Sequence, residues 1–287
     1  MARFQLGRRS ALQALAALGS GLLLTGEGRA QEAGAAEEQG KSEGEKKLPA
    51  KALLFSGTGW YRHPEIPQCN GWLVRTLGQA GFQVDVTETP GDITPERLAG
   101  YDLLLMNNCN ELTTLLSDAQ RQAIEKWHAG GKGIVALHAA LVHQTEWAWF
   151  YDLAGCDFDS DSTFSKARVT VDPAAANHPA VGGRPDAFFY EADWTNHDKS
   201  VTGLPGVTVL LRVDESTYDP VRPYFKERGG KPMGKDHPIA WLRSYGGGRF
   251  FYTELGHDLR SLDTPFGRKH VIEAARWALG GEAPTGK

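Results

Sequence analysis

The segment Gly130-Gly131-Lys132-Gly133-Ile134-Val135-Ala136-Leu137-His138-Ala139-Ala140 constrains the fold more than any other part of the chain. A glycine turn feeds a short apolar run with no polar alternation. That is the pattern of a strand buried on both faces, and such strands belong to parallel sheets covered by helices. The run ends on a histidine followed by two small residues. In open α/β sheets the ligand crevice lies beyond the carboxyl ends of the strands, and imidazole is the side chain whose charge changes near neutral pH. His138 therefore stands where chemistry is usually done. The plain alternative is a histidine satisfying a local hydrogen bond at a strand end.

The flanking sequence extends this pattern. Ala52–Ser56 reads as a first buried strand, Gly71–Ala80 as a helix with Trp72, Leu73 and Leu77 on one face, and Phe82–Thr87 as a second strand. Ile93–Leu98 is a short helical turn, and Tyr101–Met106 a third strand ending on Asn107 and Asn108. Ser117 and Gln120 have the spacing of a capping box; the helix they open turns Ile124 and Trp127 inward and closes at Gly130-Gly131. Strands alternating with helices at this spacing imply right-handed crossovers and a parallel sheet. The second half is richer in strands, expected at Arg168–Val171, Phe188–Glu191, Val207–Arg212, Ile239–Tyr245 and Arg249–Glu254, with helices at Trp147–Leu153 and Lys269–Leu279. The expected fold class is α/β: a flavodoxin-like, mostly parallel sheet flanked by helices, with a strand-rich C-terminal half, in one domain.

The termini read differently. Arg8-Arg9-Ser10-Ala11-Leu12 opens a basic start, an uncharged apolar stretch runs to Leu24, and Gly28-Arg29-Ala30 offers small residues for cleavage. Residues 1–30 thus have the layout of a secretory signal peptide, and the paired arginines favour the twin-arginine route. This predicts a periplasmic or secreted protein. The apolar stretch is shorter than the roughly 20 residues that a membrane span needs, and no later segment qualifies. Residues 31–47 contain only Ala, Gly, Glu, Gln, Lys and Ser, too little apolar surface to offset ordering entropy, and read as a disordered tether. Residues 48–281 are then the folded domain and 282–287 a tail.

Residues 1–30 hold four arginines against one glutamate, so a net charge of −4 for the whole chain becomes −7 for the remainder. A mildly acidic protein lacks the basic footprint of nucleic-acid binding. Three widely spaced cysteines, Cys69, Cys109 and Cys156, with no CxxC pair, argue against a disulfide scaffold and a cysteine zinc cluster. A Cys69–Cys109 bridge is the one pairing to consider, since both follow predicted strands. Gly57-Thr58-Gly59 does not complete a dinucleotide fingerprint, because Arg62 stands where the third glycine belongs.

Four polar groups fall at predicted strand ends or in the loops just after them: His63 beyond the first strand, His138 beyond the fourth, Asp193 after Phe188–Glu191, and His257 after Arg249–Glu254. Parallel order places the first two on one edge of the sheet; nothing in the sequence forces the last two there. Each has a dull explanation, as a loop residue, a turn cap or an acceptor for nearby amides. His128, His143, His178, His197, His237 and His270 are read as structural or exposed.

The chain from about Lys51 to about Gly281 resembles the ThuA-like (trehalose-utilisation) family, whose fold is similar to the class I glutamine amidotransferase domain. The matching segments are Trp60-Tyr61-Arg62-His63, Gly131 to Ala140, Asn177-His178-Pro179-Ala180, Pro238-Ile239-Ala240-Trp241, the long run Tyr245 to Asp258, and Arg276-Trp277-Ala278. The resemblance implies a role in carbohydrate metabolism. Two departures stand out. Amidotransferase relatives carry a cysteine nucleophile on the turn after this strand, whereas here His138 has no cysteine beside it, so thiolate hydrolysis of glutamine is unsupported. The family pattern also tends to read Asp-Glu where this chain has Asp193-Trp194, which leaves that glutamate's role absent or passed to Glu191 or another group.

These features together predict an exported enzyme acting on a sugar or keto-sugar by histidine acid–base chemistry: isomerisation, elimination or hydrolysis. His138 is the first candidate for general base, His257 and His63 for acid or carbonyl polariser, and Asp193 for orienting an imidazole. Trp60, Tyr61 and Trp241 offer flat faces for a sugar ring, and Asn108 and Arg243 are candidate contacts to hydroxyl or carboxylate groups. The expected partner is a small-molecule carbohydrate. The same three histidines with Asp193 suit a divalent metal such as zinc, although no HxH or HxxxH spacing supports this and the site would be assembled from separated loops. The rival reading is a non-catalytic carbohydrate-binding or scaffold protein.

Overall fold

The computed structural model describes residues 49–281; the expectations for the signal peptide, the tether and the tail lie outside them. Among the described residues no helix is long and apolar enough to cross a membrane, and all three cysteines are free and buried.

The strands are β1 (Ala50–Phe55), β2 (Phe82–Thr87), β3 (Leu103–Asn107), β4 (Gly133–Leu137), β5 (Phe158–Asp161), β6 (Ser165–Val171), β7 (Ala187–Ala192), β8 (Thr195–His197), β9 (Val207–Asp214), β10 (Pro238–Tyr245) and β11 (Gly248–Thr253). Nine form one sheet in the order β2-β1-β3-β4-β11-β10-β9-β6-β7, and β5 pairs with β8 in a second, small sheet. The pairings from β2 to β11 are parallel and those from β11 to β7 antiparallel. Following these directions, only β10 and β6 run against the other strands of the large sheet. The α/β class, the mostly parallel sheet and the strand-rich second half all match expectation.

Period-two alternation distributes the central strands between two cores. Ala52, Leu54, Leu103, Leu105, Val135 and Leu137 face one core with the helices Ile66–Gln79 and Pro265–Ala278. Leu53, Phe55, Leu104, Met106, Ile134 and Ala136 face the other with Asp118–Ala129 and Ala148–Ala154. Each side chain so buried contributes about 1.5–3 kcal/mol for the larger aliphatic types. Gly133 is required by close approach: a Cβ there would stand 2.4 Å from the Ala278 carbonyl oxygen.

The first helix begins at Ile66, five residues before the predicted Gly71, because Pro67 occupies its first turn, where no amide hydrogen bond is lost. The Ser117–Gln120 capping box forms in both directions. In that helix Ile124 and His128 are buried while Trp127 is half-buried, its Nε1 donating to the Tyr101 carbonyl at 3.3 Å. The strands β5 and β8 escaped prediction: Phe-Asp-Ser-Asp and Thr-Asn-His lack the apolar alternation that marks a strand.

Candidate active site

The carboxyl ends of β1, β4, β7 and β11 share one edge of the sheet, and their exit loops carry His63, His138, Asp193 and His257. Beyond β7 the chain continues as β8, which pairs with β5, and Phe158 and Asp161 of β5 and Thr195 of β8 border the space beside this edge. That space holds about 390 Å³, bordered by Trp60, Tyr61, His63, His138, Phe158, Asp161, Thr195, Arg222, Tyr224 and His257 among others.

Local backbone demands place each group. His138, at the end of β4, has a left-handed backbone with φ of +48°, and the other described non-glycine residues with positive φ are Asn108, Glu111 and His143. All four lie in the loops after β3 and β4, the kind of concentration of strain found at functional sites. Gly256 passes beside the turn, where a Cβ would lie 3.2 Å from His138 Cβ. The loop bearing Trp60 and Tyr61 is pinned by Asn110, whose Oδ1 accepts from the Trp60 and Tyr61 amides at 3.1 and 3.3 Å and whose Nδ2 donates to the Tyr61 carbonyl at 2.7 Å.

Asp193 Oδ2 lies 2.6 Å from His257 Nδ1, which is 3.1 Å from His138 Nε2; His138 Nε2 and Asp193 Oδ2 are 3.6 Å apart. The His63 ring stands edge-on to both other imidazoles, with centroids at 5.4 and 5.1 Å. Behind His138, Glu254 Oε1 faces Nδ1 at 3.5 Å, an electrostatic contact too long for a formed hydrogen bond. Glu254 is fully buried and held by the Thr195 amide at 3.0 Å, the Thr195 hydroxyl and the Tyr252 hydroxyl at 3.0 Å.

The charges follow from these contacts. Burial opposes a charge on His138, but Asp193 and Glu254 outweigh it and lift the imidazole to about 9. Burial likewise disfavours the Asp193 carboxylate, yet His138 and His257 hold it well below the usual carboxylate range. For His63 the pull of Asp193 is outweighed: burial, then the neighbouring imidazoles of His138 and His257, push it down to about 3. In the same cavity, Asp161 is raised to about 7, chiefly by burial and against the pull of Arg222. Its Oδ1 touches Arg222 Nε at 2.5 Å, without the alignment of a hydrogen bond.

The four predicted catalytic groups thus meet at one point, and Trp60 and Tyr61, each about half exposed, stand at the mouth. Three predicted substrate contacts are corrected. Trp241 is fully buried against Tyr252, its Nε1 donating to the Ala154 carbonyl at 3.1 Å. Arg243 lies towards the opposite edge, because β10 runs against β11, and its guanidinium donates to the Pro205 and Asp152 carbonyls. Asn108 is fully buried and bridges Asn107 Oδ1 and the Gly256 carbonyl at 3.0 and 2.9 Å, so it positions the neighbouring loop and does not reach the cavity. Glu191 is exposed; beside Asp193, the second buried acid of the site is Glu254. Sequence reasoning passed over Glu254, Asp161 and Arg222. Of these only Glu254 had a signal, as a carboxylate closing a strand of buried type. The ligand-forming nitrogens of His63, His138 and His257 lie within 4.8 Å of one another, the set able to hold a metal ion.

A family model described as ThuA, trehalose utilisation, matches residues 51–278. The chain belongs to the ThuA family. Its fold is the class I glutamine amidotransferase-like fold of that family, which is associated with trehalose utilisation and carbohydrate metabolism. Among solved structures, a ThuA-like protein from Bacteroides uniformis superposes with a TM-score of 0.66 at 23% identity, covering 83% of this chain and 95% of that one. A ThuA-like protein from Parabacteroides merdae gives 0.60 at 17% identity, covering 83% and 93%. A cytoplasmic protein from Salmonella typhimurium gives 0.54 at 11%, covering 79% and 98%. At these identities the likeness shows the fold alone. No curated protein sequence matches the chain.

Proposed function

We propose that this ThuA-family chain is an exported enzyme that acts on a sugar or keto-sugar derivative by acid–base chemistry in the cavity over β4 and β11. The observation that carries the reading is the meeting of His63, His138 and His257, the last two in contact with Asp193, on one side of a cavity that Asp161 also lines. A volume of about 390 Å³ falls within the range of small-molecule sites, about 300–1,000 Å³. Trp60, Tyr61 and Tyr224, each about half exposed, offer aromatic faces at the mouth for a pyranose ring. Export is supported by Arg8-Arg9 and the uncharged run to Leu24.

The roles divide by residue type. The floor presents imidazole groups able to donate to an oxygen, suited to polarise a carbonyl and to stabilise the enediolate that forms from it. Asp161, raised to about 7, sits where a group both takes and returns a proton near neutral pH. Its carboxylate takes the proton from the carbon beside the carbonyl, and the electron pair moves onto the carbonyl oxygen facing the floor. Returning the proton to the former carbonyl carbon, while the neighbouring hydroxyl passes its proton to the oxygen facing the floor, completes an isomerisation; collapse of the enolate to the carbonyl, forming a carbon–carbon double bond as a leaving group departs from the next carbon with its bonding pair, completes an elimination.

The test is His138→Asn, chosen because asparagine tolerates a left-handed backbone better than most residues. Binding and turnover are measured over a panel of keto-sugars. The expected result is ligand affinity largely retained with turnover reduced at least about 10²-fold. Turnover unchanged in the variant, or binding without turnover by the parent protein, overturns the reading and leaves a carbohydrate-binding protein.

A further inference from the structure

We infer that His138 Nε2, His257 Nδ1 and Asp193 Oδ2 form a binding site for a divalent first-row transition-metal ion, with His63 as a further ligand. The three atoms make a triangle with edges of 3.1, 2.6 and 3.6 Å. Ligands about 2.0–2.1 Å from a tetrahedral ion are separated by about 3.3 Å, so two edges are already close to those of a coordination face, and the His257–Asp193 edge has to open by about 0.7 Å on binding. The nitrogens of the three imidazoles lie within 4.8 Å of one another, and a side-chain adjustment of His63 closes the fourth position.

The surroundings suit metal ligands. Two ring nitrogens and a carboxylate oxygen face one point, and a neutral imidazole presents one of its two nitrogens as an acceptor. The buried atoms His63 Nδ1 and Asp193 Oδ1 have no hydrogen-bond partner, which is rare for buried polar atoms. Glu254 stands behind His138 with Oε1 facing Nδ1, and it is itself fixed by Thr195 and Tyr252. A carboxylate there favours the hydrogen on Nδ1 and leaves the Nε2 lone pair for the site, the outer-shell arrangement of metal-ligating histidines. The donors are imidazole and carboxylate with no thiolate, which selects ions of the zinc, cobalt, nickel or iron(II) type over copper(I), and over calcium or magnesium. The open side faces the cavity, where a ligand can complete the coordination.

The inference shares residues with the proposed enzyme but is read without substrate. Full-length protein is purified, its metal content measured, stripped with a chelator and titrated with Zn²⁺ and with Co²⁺. Expected are one ion per chain, a rise in melting temperature on reloading, and visible d–d absorption from bound Co²⁺. His257→Ala, which changes a partly exposed side chain, abolishes the Co²⁺ spectrum while the far-ultraviolet circular dichroism stays unchanged. Glu254→Gln weakens Co²⁺ binding by about 10–100-fold. Stripped protein that takes up neither ion, or a Co²⁺ spectrum unchanged in His257→Ala, overturns the inference. Metal bound without turnover of any sugar counts against the enzyme alone; turnover by a protein that takes up neither ion counts against the metal alone.

Discussion

His138 and His270 are both buried imidazoles, and the fold uses them in opposite ways. Under the helix Pro265–Ala278, His270 Nδ1 is 2.7 Å from the Ala180 carbonyl and Nε2 is 3.0 Å from Thr253 Oγ1. His237 is held similarly, between Glu215 Oε1 and the Thr195 carbonyl, both at 2.8 Å. Both nitrogens of each ring are engaged by the fold, and neither ring meets the cavity. At the rim, His138, His257 and His63 face one another, with ring centroids 4.8–5.4 Å apart. Burial does not separate a structural histidine from a functional one, and an unpartnered nitrogen alone does not either: His197 has neither nitrogen bonded, yet it sits between the rings of Trp241 and Tyr252 and does not line the cavity. Convergence on a shared, open point is what distinguishes the rim.

The sharpest way to extend that contrast uses an acid lining the same cavity as the rim histidines. Burial raises Asp161 to about 7, so the carboxylate, the form able to act as base, accumulates as pH rises through that value. Turnover should rise with pH along a limb set by this group. Asp161→Asn keeps shape but removes the base, and we expect turnover to fall by about 10²–10⁴-fold with loss of the limb. A pH–rate profile of the two proteins checks this; an unchanged limb assigns it to another group. A dication on the floor pulls the Asp161 inflection downwards, so the position of the limb also reports metal loading.

The core side of the contrast predicts stability, not chemistry. His270→Ala leaves the Ala180 carbonyl without its ring partner, leaves Thr253 Oγ1 with only the Leu255 amide, and opens a void, together costing about 2–4 kcal/mol. Denaturant titration should show that loss, while turnover per folded molecule stays at the parent level. The pH dependence has a definite sign. His270 is pushed down to about 4 against about 6.5 when unfolded, so between those values the unfolded chain binds more protons and stability falls as pH falls. Replacing the ring removes its share of that slope. A turnover defect with unchanged stability would erase the distinction between the two histidine classes.

What was legible in the sequence follows from how local each signal is. β2 and the capped helix Asp118–Ala129 were readable because alternation and the Ser117–Gln120 pair are short-range patterns. The strand-end positions of His63, His138, Asp193 and His257 were readable for the same reason. Their meeting was not, since it depends on the direction of β7 and on the pairing of β8 with β5 beside the rim. Asp161 was hidden because β5 is too polar and short to announce itself as a strand. Trp241 and Arg243 were misplaced for a different reason: their residue types suit sugar contacts, but β10 runs antiparallel and is buried along most of its length. Residue type without strand direction gave the wrong edge.

The smallest effect we predict lies at the mouth, where rim chemistry gives way to ordinary surface. Trp60 is 51% exposed and its ring lies 4.5 Å from that of His143, while Asn110 holds its backbone. The indole is therefore presented on a fixed loop with one face supported, and little ordering entropy remains to be lost when a ring stacks upon it. An aromatic face of this kind contributes about 0.5–1.5 kcal/mol beyond simple burial, so Trp60→Ala should weaken sugar binding by roughly 10-fold. The catalytic step should be untouched, since Trp60 meets neither the floor histidines nor Asp161 in any of the contacts above. Calorimetric affinity with single-turnover rates separates the two. A loss confined to affinity keeps Trp60 as a binding surface, whereas a slowed chemical step would mean that the mouth positions the reacting atoms and that the boundary of the functional rim lies further out than the histidines alone define it.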